Sequence, residues 1–346
     1  MLASEFDFDL PSELIAQHPI EPRDSARLMV IDRRLRRWEH RTFAELPELL
    51  ESRDVLVRNN TRVIPARLIG HRAATGGKWE GMFLREQAHG SWEILATTRG
   101  RPAPGEHIIV GRGLQLVLEA QGEDGSWIVK PCRSSGDAAT TLDLLEQHGQ
   151  TPLPPYIRHG REMPNDRVDY QTVYAQYPGS VAAPTAVLHF TDQVFDRLAT
   201  RGIIWVDLTL HVGVGTFRPI VTERLEDHVM HAEWAELSPQ TAAMVESRRR
   251  DGGRIVAVGT TSARTLEAAA GWATLQPFSG EIDLFIRPGH VFRGLDALIT
   301  NLHLPRSSLL VLVSAFAGLE LTRAAYREAI RCGYRFFSYG DAMLIL

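Results

Sequence analysis

Between Val63 and Lys130 the chain passes through short β-rich runs: RVIPARLIG, KWEGMFLRE, SWEILATT, EHIIVGRG, LQLVLEA and SWIVKP. Glycine or charged residues separate them, and no helical period of useful length interrupts them. That spacing predicts a small antiparallel sheet or barrel. After about residue 179 the texture changes, and strand-like and helix-like segments alternate. Ile203–Leu210, Arg254–Val258, Ile282–Ile286 and Ala297–Leu302 read as strands. Ser238 is placed to cap a helix through Arg250, which Asp251-Gly252-Gly253 ends. Thr260–Ala270 and Ser307–Ala317 read as further helices. The first 60 residues form a similar unit, with a short helix at Pro11–Ile15 and strands at Leu28–Ile31 and Arg53–Val57. With 346 residues the chain exceeds one typical core. The expected architecture is a layered α/β domain built from both chain ends, residues 1–62 and 151–346, with a small antiparallel β-barrel inserted at 63–150. Residues 139–148 (ATTLDLLEQH) read as a helix leading out of the barrel, and TPLPPY (151–156) as a stiff connector.

The composition, 44% hydrophobic and 23% charged, is that of an ordinary globular protein. No apolar stretch approaches the roughly 20 residues of a membrane span, so no membrane partner is expected. The acidic start MLASEFDFDL lacks the basic, apolar pattern of a signal peptide. Cys132 and Cys332 share no motif. A reducing cytoplasm is the expected compartment. A formal net charge of −4 gives no global field for nucleic acid. Lys78 and Lys130 are the only lysines among 38 basic residues, so local arginine runs carry the positive charge. Arg33, Arg34, Arg36 and Arg37 form one run and Arg248–Arg250 another. Both suit phosphate contact as well as ordinary solvated surface.

Three apolar runs end in Leu-His-apolar: Leu188-His189-Phe190, Leu210-His211-Val212 and Leu302-His303-Leu304. A strand-like run closing on an imidazole delivers a side chain to the carboxyl edge of a sheet, where ligands bind in open α/β folds. Imidazole also suits proton transfer near neutrality. His189, His211 and His303 are therefore the candidate catalytic residues of one shared pocket. The segment IVAVGTTSARTLE (255–267) reads as a strand, a one-glycine turn and a helix start rich in hydroxyls. Thr260, Thr261 and Ser262, with Arg264, are candidates to hold an anion there, or one of the hydroxyls is an N-cap. Asn60 and Arg62 at the end of the second strand are further candidate substrate contacts. Tyr170 is another, as a stacking ring. Gly213 and Gly215 mark a close backbone approach, but HVGVGTF (211–217) matches neither a P-loop nor a dinucleotide fingerprint. In HVMHAE (228–233) two imidazoles three apart can share a helix face, yet the order and the missing third ligand argue against metal.

These segments resemble one family, the S-adenosylmethionine:tRNA ribosyltransferase-isomerases of queuosine biosynthesis. The matching stretches run nearly end to end. They include LIAQHPIEPRDSARL (14–28), DVLVRNNTRVIPARL (54–68), DYQTVYA (169–175), GSVAAPTAVLHFT (179–191), LTLHVGVGTFRPI (208–220), HVMHAE, VAVGTTSARTLE, FIRPGHVF (285–292), LITNLHLPRSSLLVLVSAFAG (298–318) and YRFFSYGDAMLI (334–345). Two departures stand out: Val187 where glycine is usual, and Leu302 where phenylalanine is usual. The resemblance implies an α/β domain with a β-barrel insertion. It implies transfer and isomerisation of the ribosyl part of S-adenosylmethionine onto a 7-aminomethyl-7-deazaguanine in a tRNA anticodon. Epoxyqueuosine forms, and adenine and methionine leave. The donor is consumed, so no cofactor and no metal are implied. The partners are then tRNA and the donor, and a monomer is expected because no segment advertises an interface. The tRNA is expected across the Arg33–Arg37 run and the β insertion. Outside the resemblance, an ordinary methyl-transferring α/β enzyme, an RNA-binding module and a hydrolase using His228, His231 and Glu233 remain open.

Overall fold

The computed structural model describes residues 1–111, 113–122, 125–133, 139–217, 219–271 and 274–346. A nine-stranded sheet forms the larger body. At its centre lie four parallel strands, in the spatial order Ile204–Leu210, Val55–Asn59, Ile255–Val258 and Ala297–Asn301. Antiparallel or reversed strands flank them: Phe278–Ile282 and Glu233–Leu237 on one side, then Ala342–Ile345, Arg27–Asp32 and Arg37–Thr42 on the other.

The central strands are near-continuous apolar runs because both faces are covered. Val55, Val57, Ile255 and Ala257 pack with the helices Pro239–Arg250, Thr260–Ala269, Ser308–Ala317 and Leu319–Arg331. Leu56, Val256, Val258 and Ile299 pack on the other face, against Leu46 and the helix Asp192–Thr200. Ile255, Val256 and Val258 are wholly buried, and each such side chain contributes roughly 1.5–3 kcal/mol.

The second body is a closed six-stranded barrel of Arg67–Arg72, Lys78–Glu86, Trp92–Thr98, His107–Gly111, Leu114–Gln121 and Ser126–Arg133. Alternate residues such as Trp92, Ile94, Leu116 and Leu118 fill its interior. The helix Thr141–His148 follows. The chain enters and leaves the barrel at one point, where Arg67 and Gln150 exchange backbone hydrogen bonds of 3.1 and 2.7 Å.

Several elements differ from the sequence expectation. The strand expected at Ile282–Ile286 lies earlier, at Phe278–Ile282, where it pairs with Glu233–Leu237. Ile286 is instead buried in the core. Pro11–Ile15 is a single 3-10 turn rather than an α-helix. The strand Arg37–Thr42 was not expected, because it is an edge strand with almost wholly exposed side chains and no apolar alternation. No single helix among the described residues is long and apolar enough to cross a membrane.

Candidate active site

Four loops leave the carboxyl ends of the parallel strands, beginning at Asn60, His211, Gly259 and Leu302. The last three, with the segments Ala183–Ala186 and Phe337–Ser338 and with Tyr156, enclose a small cavity of about 60 Å³. Thr260, Thr261 and His303 line it. The helix Thr260–Ala269 begins there. Its N-cap is Gly259, whose φ of 89° suits glycine and which offers no side chain to cap the helix. Thr261 and Ser262 are therefore not caps. The positive end of the helix dipole opens on the cavity. Thr261 is 9% exposed and its hydroxyl has no hydrogen-bond partner among the described residues. Ser262 is fully buried and lies outside the lining.

The three histidines do not share one cavity. His303 lies two residues past its strand and bonds Thr300 Oγ1 through Nε2 at 2.6 Å. Burial pushes its pKa down to about 3, so it is neutral at physiological pH. His189 follows a 3-10 turn, Thr185–Val187, rather than a strand. Its ring packs on Phe43 at 5.1 Å. Its Nε2 accepts from the Asn301 amide at 3.2 Å, which fixes the proton of the neutral ring on Nδ1. Burial, with the charges of Arg23 and Arg335, lowers its pKa to about 3. His189 thus supports Asn301, which lines the cavity and also bonds Thr185 and the Phe337 carbonyl. Val187 is 1% exposed and packs in the core against Phe190 and Val194.

His211 borders a different cavity, about 750 Å³, between the sheet edge and the barrel. Its Nδ1 pairs with Thr61 Oγ1 at 2.8 Å, and burial lowers its pKa. The ring lies against Gly179, where an added Cβ would fall 2.8 Å from Nε2. It also stacks on Trp234, with centroids 5.3 Å apart and planes 21° apart.

The loop between these cavities is fixed by Glu233. One carboxylate oxygen accepts from the Gly213 N–H at 2.8 Å and from Thr216 Oγ1 at 3.0 Å. The other binds Arg264. Glu233 and Arg264 are 6% and 5% exposed. Thus Arg264 is not a free cation awaiting a carboxylate, as the helix position alone suggested. It is already paired, and it also reaches the carbonyls of Ile282 and Leu284. At Gly215 an added Cβ would meet the exposed His231 ring at 2.2 Å, so a side chain there requires that ring to turn away. A third cavity, about 480 Å³, opens on the far side of this loop and shares Thr216 and Leu309 with the small one.

Other expected contacts lie elsewhere. Asn60 is 5% exposed, and its side-chain Oδ1 accepts from the Thr209 hydroxyl at 2.8 Å. Arg62 pairs with Glu146 at 3.0 Å beside a separate cavity of about 240 Å³, which Tyr170 also lines. Tyr170 is 1% exposed and set edge-on to Tyr339, so it is not placed to stack an incoming base. The His228–Glu233 segment is not helical. His228 packs on Phe285, His231 on Gly215, and Glu233 holds Arg264. Among the described residues, one group of three metal-capable side chains comes together, His40, Glu328 and Cys332, and Glu328 is already held there by Arg331.

The arginine runs sit at the wrong end of the sheet for this site. Arg33 donates to the Asp296 carbonyl, just before the strand Ala297–Asn301 begins. Arg248 donates to Ser52 O, ahead of Val55–Asn59. Both runs therefore lie toward the amino ends of the parallel strands, opposite the cavities.

Residues 3–345 match the family described as "Queuosine biosynthesis protein". A protein of Symbiobacterium thermophilum, named S-adenosylmethionine:tRNA ribosyltransferase-isomerase, is 51% identical over 100% of both chains. One of the same name from Moorella thermoacetica is 49% identical, again over 100% of both. The crystal structure of the S-adenosylmethionine tRNA ribosyltransferase of Thermotoga maritima superposes with a TM-score of 0.57 at 37% identity, covering 99% of this chain and 100% of that one. Most of the lining of the small cavity falls in stretches that carried the sequence resemblance, and the match spans both bodies of the fold. This chain belongs to the queuosine biosynthesis protein family, that of the S-adenosylmethionine:tRNA ribosyltransferase-isomerases.

Proposed function

We propose that the chain moves the ribosyl part of S-adenosylmethionine onto the aminomethyl group of a 7-deazaguanine in a tRNA anticodon. The sugar isomerises to the epoxycyclopentane of epoxyqueuosine, and adenine and methionine leave. The donor is a consumed substrate, and the reading invokes no metal and no resident cofactor.

The observation that carries the reading is the uncapped helix start at Thr260, with the buried, unpartnered Thr261 hydroxyl beside it. Free N–H groups and the dipole favour a carboxylate there, and the methionyl end of the donor supplies one. A cavity of about 60 Å³ is far below the roughly 300 Å³ of a small-molecule site. It therefore takes one end of the donor, while the adjoining 480 Å³ cavity takes the rest.

The chemistry needs a base for a C5′ proton made acidic by the sulfonium. It also needs an acid for departing adenine and a neutral attacking amine. His303 enters neutral, so it can accept a hydrogen bond, but with a pKa pushed down to about 3 it is a weak base and carries no extra proton to give as the acid. His211, beside the larger cavity, is the second candidate. His189 is assigned a positioning role through Asn301.

Incubating the protein with S-adenosylmethionine and tRNA bearing the aminomethyl base should release adenine and methionine in equal amounts. Release of S-adenosylhomocysteine instead would replace this reading with ordinary methyl transfer.

A further inference from the structure

Strand Glu233–Leu237 alternates strictly, with Glu233, Ala235 and Leu237 buried and Trp234 and Glu236 turned outward. An outward tryptophan is 37% exposed here, although burying its large ring would be strongly favourable. It is not merely lying on the surface. One face is backed by His211, and that imidazole is backed by the bare backbone of Gly179. Thr61 fixes His211 in its plane through Nδ1. The result is an indole stacked on an imidazole that Thr61 and Gly179 hold in place, and both rings border the 750 Å³ cavity.

The walls of that cavity are acidic. Glu86 and Glu93 come from the barrel, and Glu233 and Glu281 from the sheet edge, against a single arginine among the described residues, Arg85. Glu93 pairs with Arg85, and Glu233 with Arg264. Glu86 and Glu281 carry no ion pair among the described residues. Such a cavity repels phosphates and suits a flat ring that bears a positive charge. Its volume is in the range of small-molecule sites.

We propose that this cavity receives the acceptor base: a purine-like ring bearing a primary ammonium stacks on Trp234, with Glu86 and Glu281 facing it, one of these carboxylates taking the proton whose loss leaves the amine neutral for attack. The proposal rests on the tRNA-modifying reading above and assigns that reading's second substrate to a site distinct from the donor's. A base splayed from an anticodon loop is recognised in this way, by stacking on an aromatic side chain and by hydrogen bonds to its edges. A single base-aromatic stack changes affinity by about tenfold to a hundredfold on alanine substitution.

The test uses the full chain and tRNA carrying the aminomethyl base. Trp234→Ala should raise KM for this tRNA about tenfold to a hundredfold while donor Kd stays within about twofold. Trp234→Phe keeps a stacking face and should retain most of the affinity, whereas Trp234→Leu, of comparable bulk, should not. Glu281→Gln and Glu86→Gln should narrow the preference for the amine-bearing tRNA over the same tRNA with plain guanine. A merely structural role would not move that ratio. Equal KM values for the phenylalanine and leucine variants, or a donor Kd that weakens in step with KM, would overturn the assignment. Should the parent protein release no adenine from the donor in the presence of this tRNA, the underlying reading fails instead, whatever the variants do.

Discussion

Replacing Glu233 by glutamine tests how the loop between the cavities is held. Glu233 and Arg264 are 6% and 5% exposed, and the remaining partners of the guanidinium are two carbonyls at 3.3 and 3.4 Å. Removing the carboxylate charge leaves a buried cation almost unsupported, which costs roughly 3–5 kcal/mol. The amide keeps one acceptor for the Gly213 N–H and Thr216 hydroxyl, so that contact changes by about 1 kcal/mol at most. Glu233→Gln should therefore lose about 3–5 kcal/mol in urea unfolding followed by tryptophan fluorescence. Arg264→Met leaves Glu233 with its two neutral donors and should be milder. The double variant removes both charges. It should be more stable than Glu233→Gln alone, with a coupling of about 2–3 kcal/mol. Additive losses in the double variant, or a loss under about 1 kcal/mol in Glu233→Gln, would refute the idea that this pair is isolated from water and fixes the loop.

Three further outcomes follow from the geometry. Gly179→Ala places a methyl 2.8 Å from the His211 ring, which also stacks on Trp234. It should destabilise the fold by about 1–3 kcal/mol and change the tryptophan emission. Gly215→Ala meets only the exposed His231 ring, which can swing away, so stability should change by less than about 1 kcal/mol. His189 and His303 have folded-state pKa values near 3, far below the 6.5 of a free imidazole. The unfolded chain then binds more protons between pH 6.5 and 3, and stability falls as pH drops through that window. His189→Asn should flatten this acid loss in thermal melts at pH 7 and pH 5, and an unchanged pH slope would contradict the burial argument.

Much of the layout was legible because periodicity reports burial. The barrel runs and the central strands of the sheet are each apolar in the pattern their surroundings demand. Arg37–Thr42 escaped because an exposed edge strand needs no apolar alternation. The helix start at Thr260 was legible from its hydroxyls and glycine, but the partner of Arg264 was not. Glu233 lies 31 residues away in sequence and meets Arg264 only through the packing of helix against strand. Likewise the Leu-His pattern is the same at all three positions, yet it cannot say which face an imidazole takes. His303 borders the small cavity, His211 borders the large one, and His189 is turned into the protein against Phe43. Trp234 gave no local signal beyond its alternation, because its backing by His211 and Gly179 exists only in three dimensions.

The central claim is that the donor's methionyl end sits at the uncapped helix start. Crystals grown with S-adenosylmethionine test it most directly. Density for the donor carboxylate is expected within hydrogen-bond distance of the Thr260 and Thr261 backbone N–H groups, with the adenosyl part in the adjoining 480 Å³ cavity. A donor ordered elsewhere, with that helix start still open to water, would contradict it.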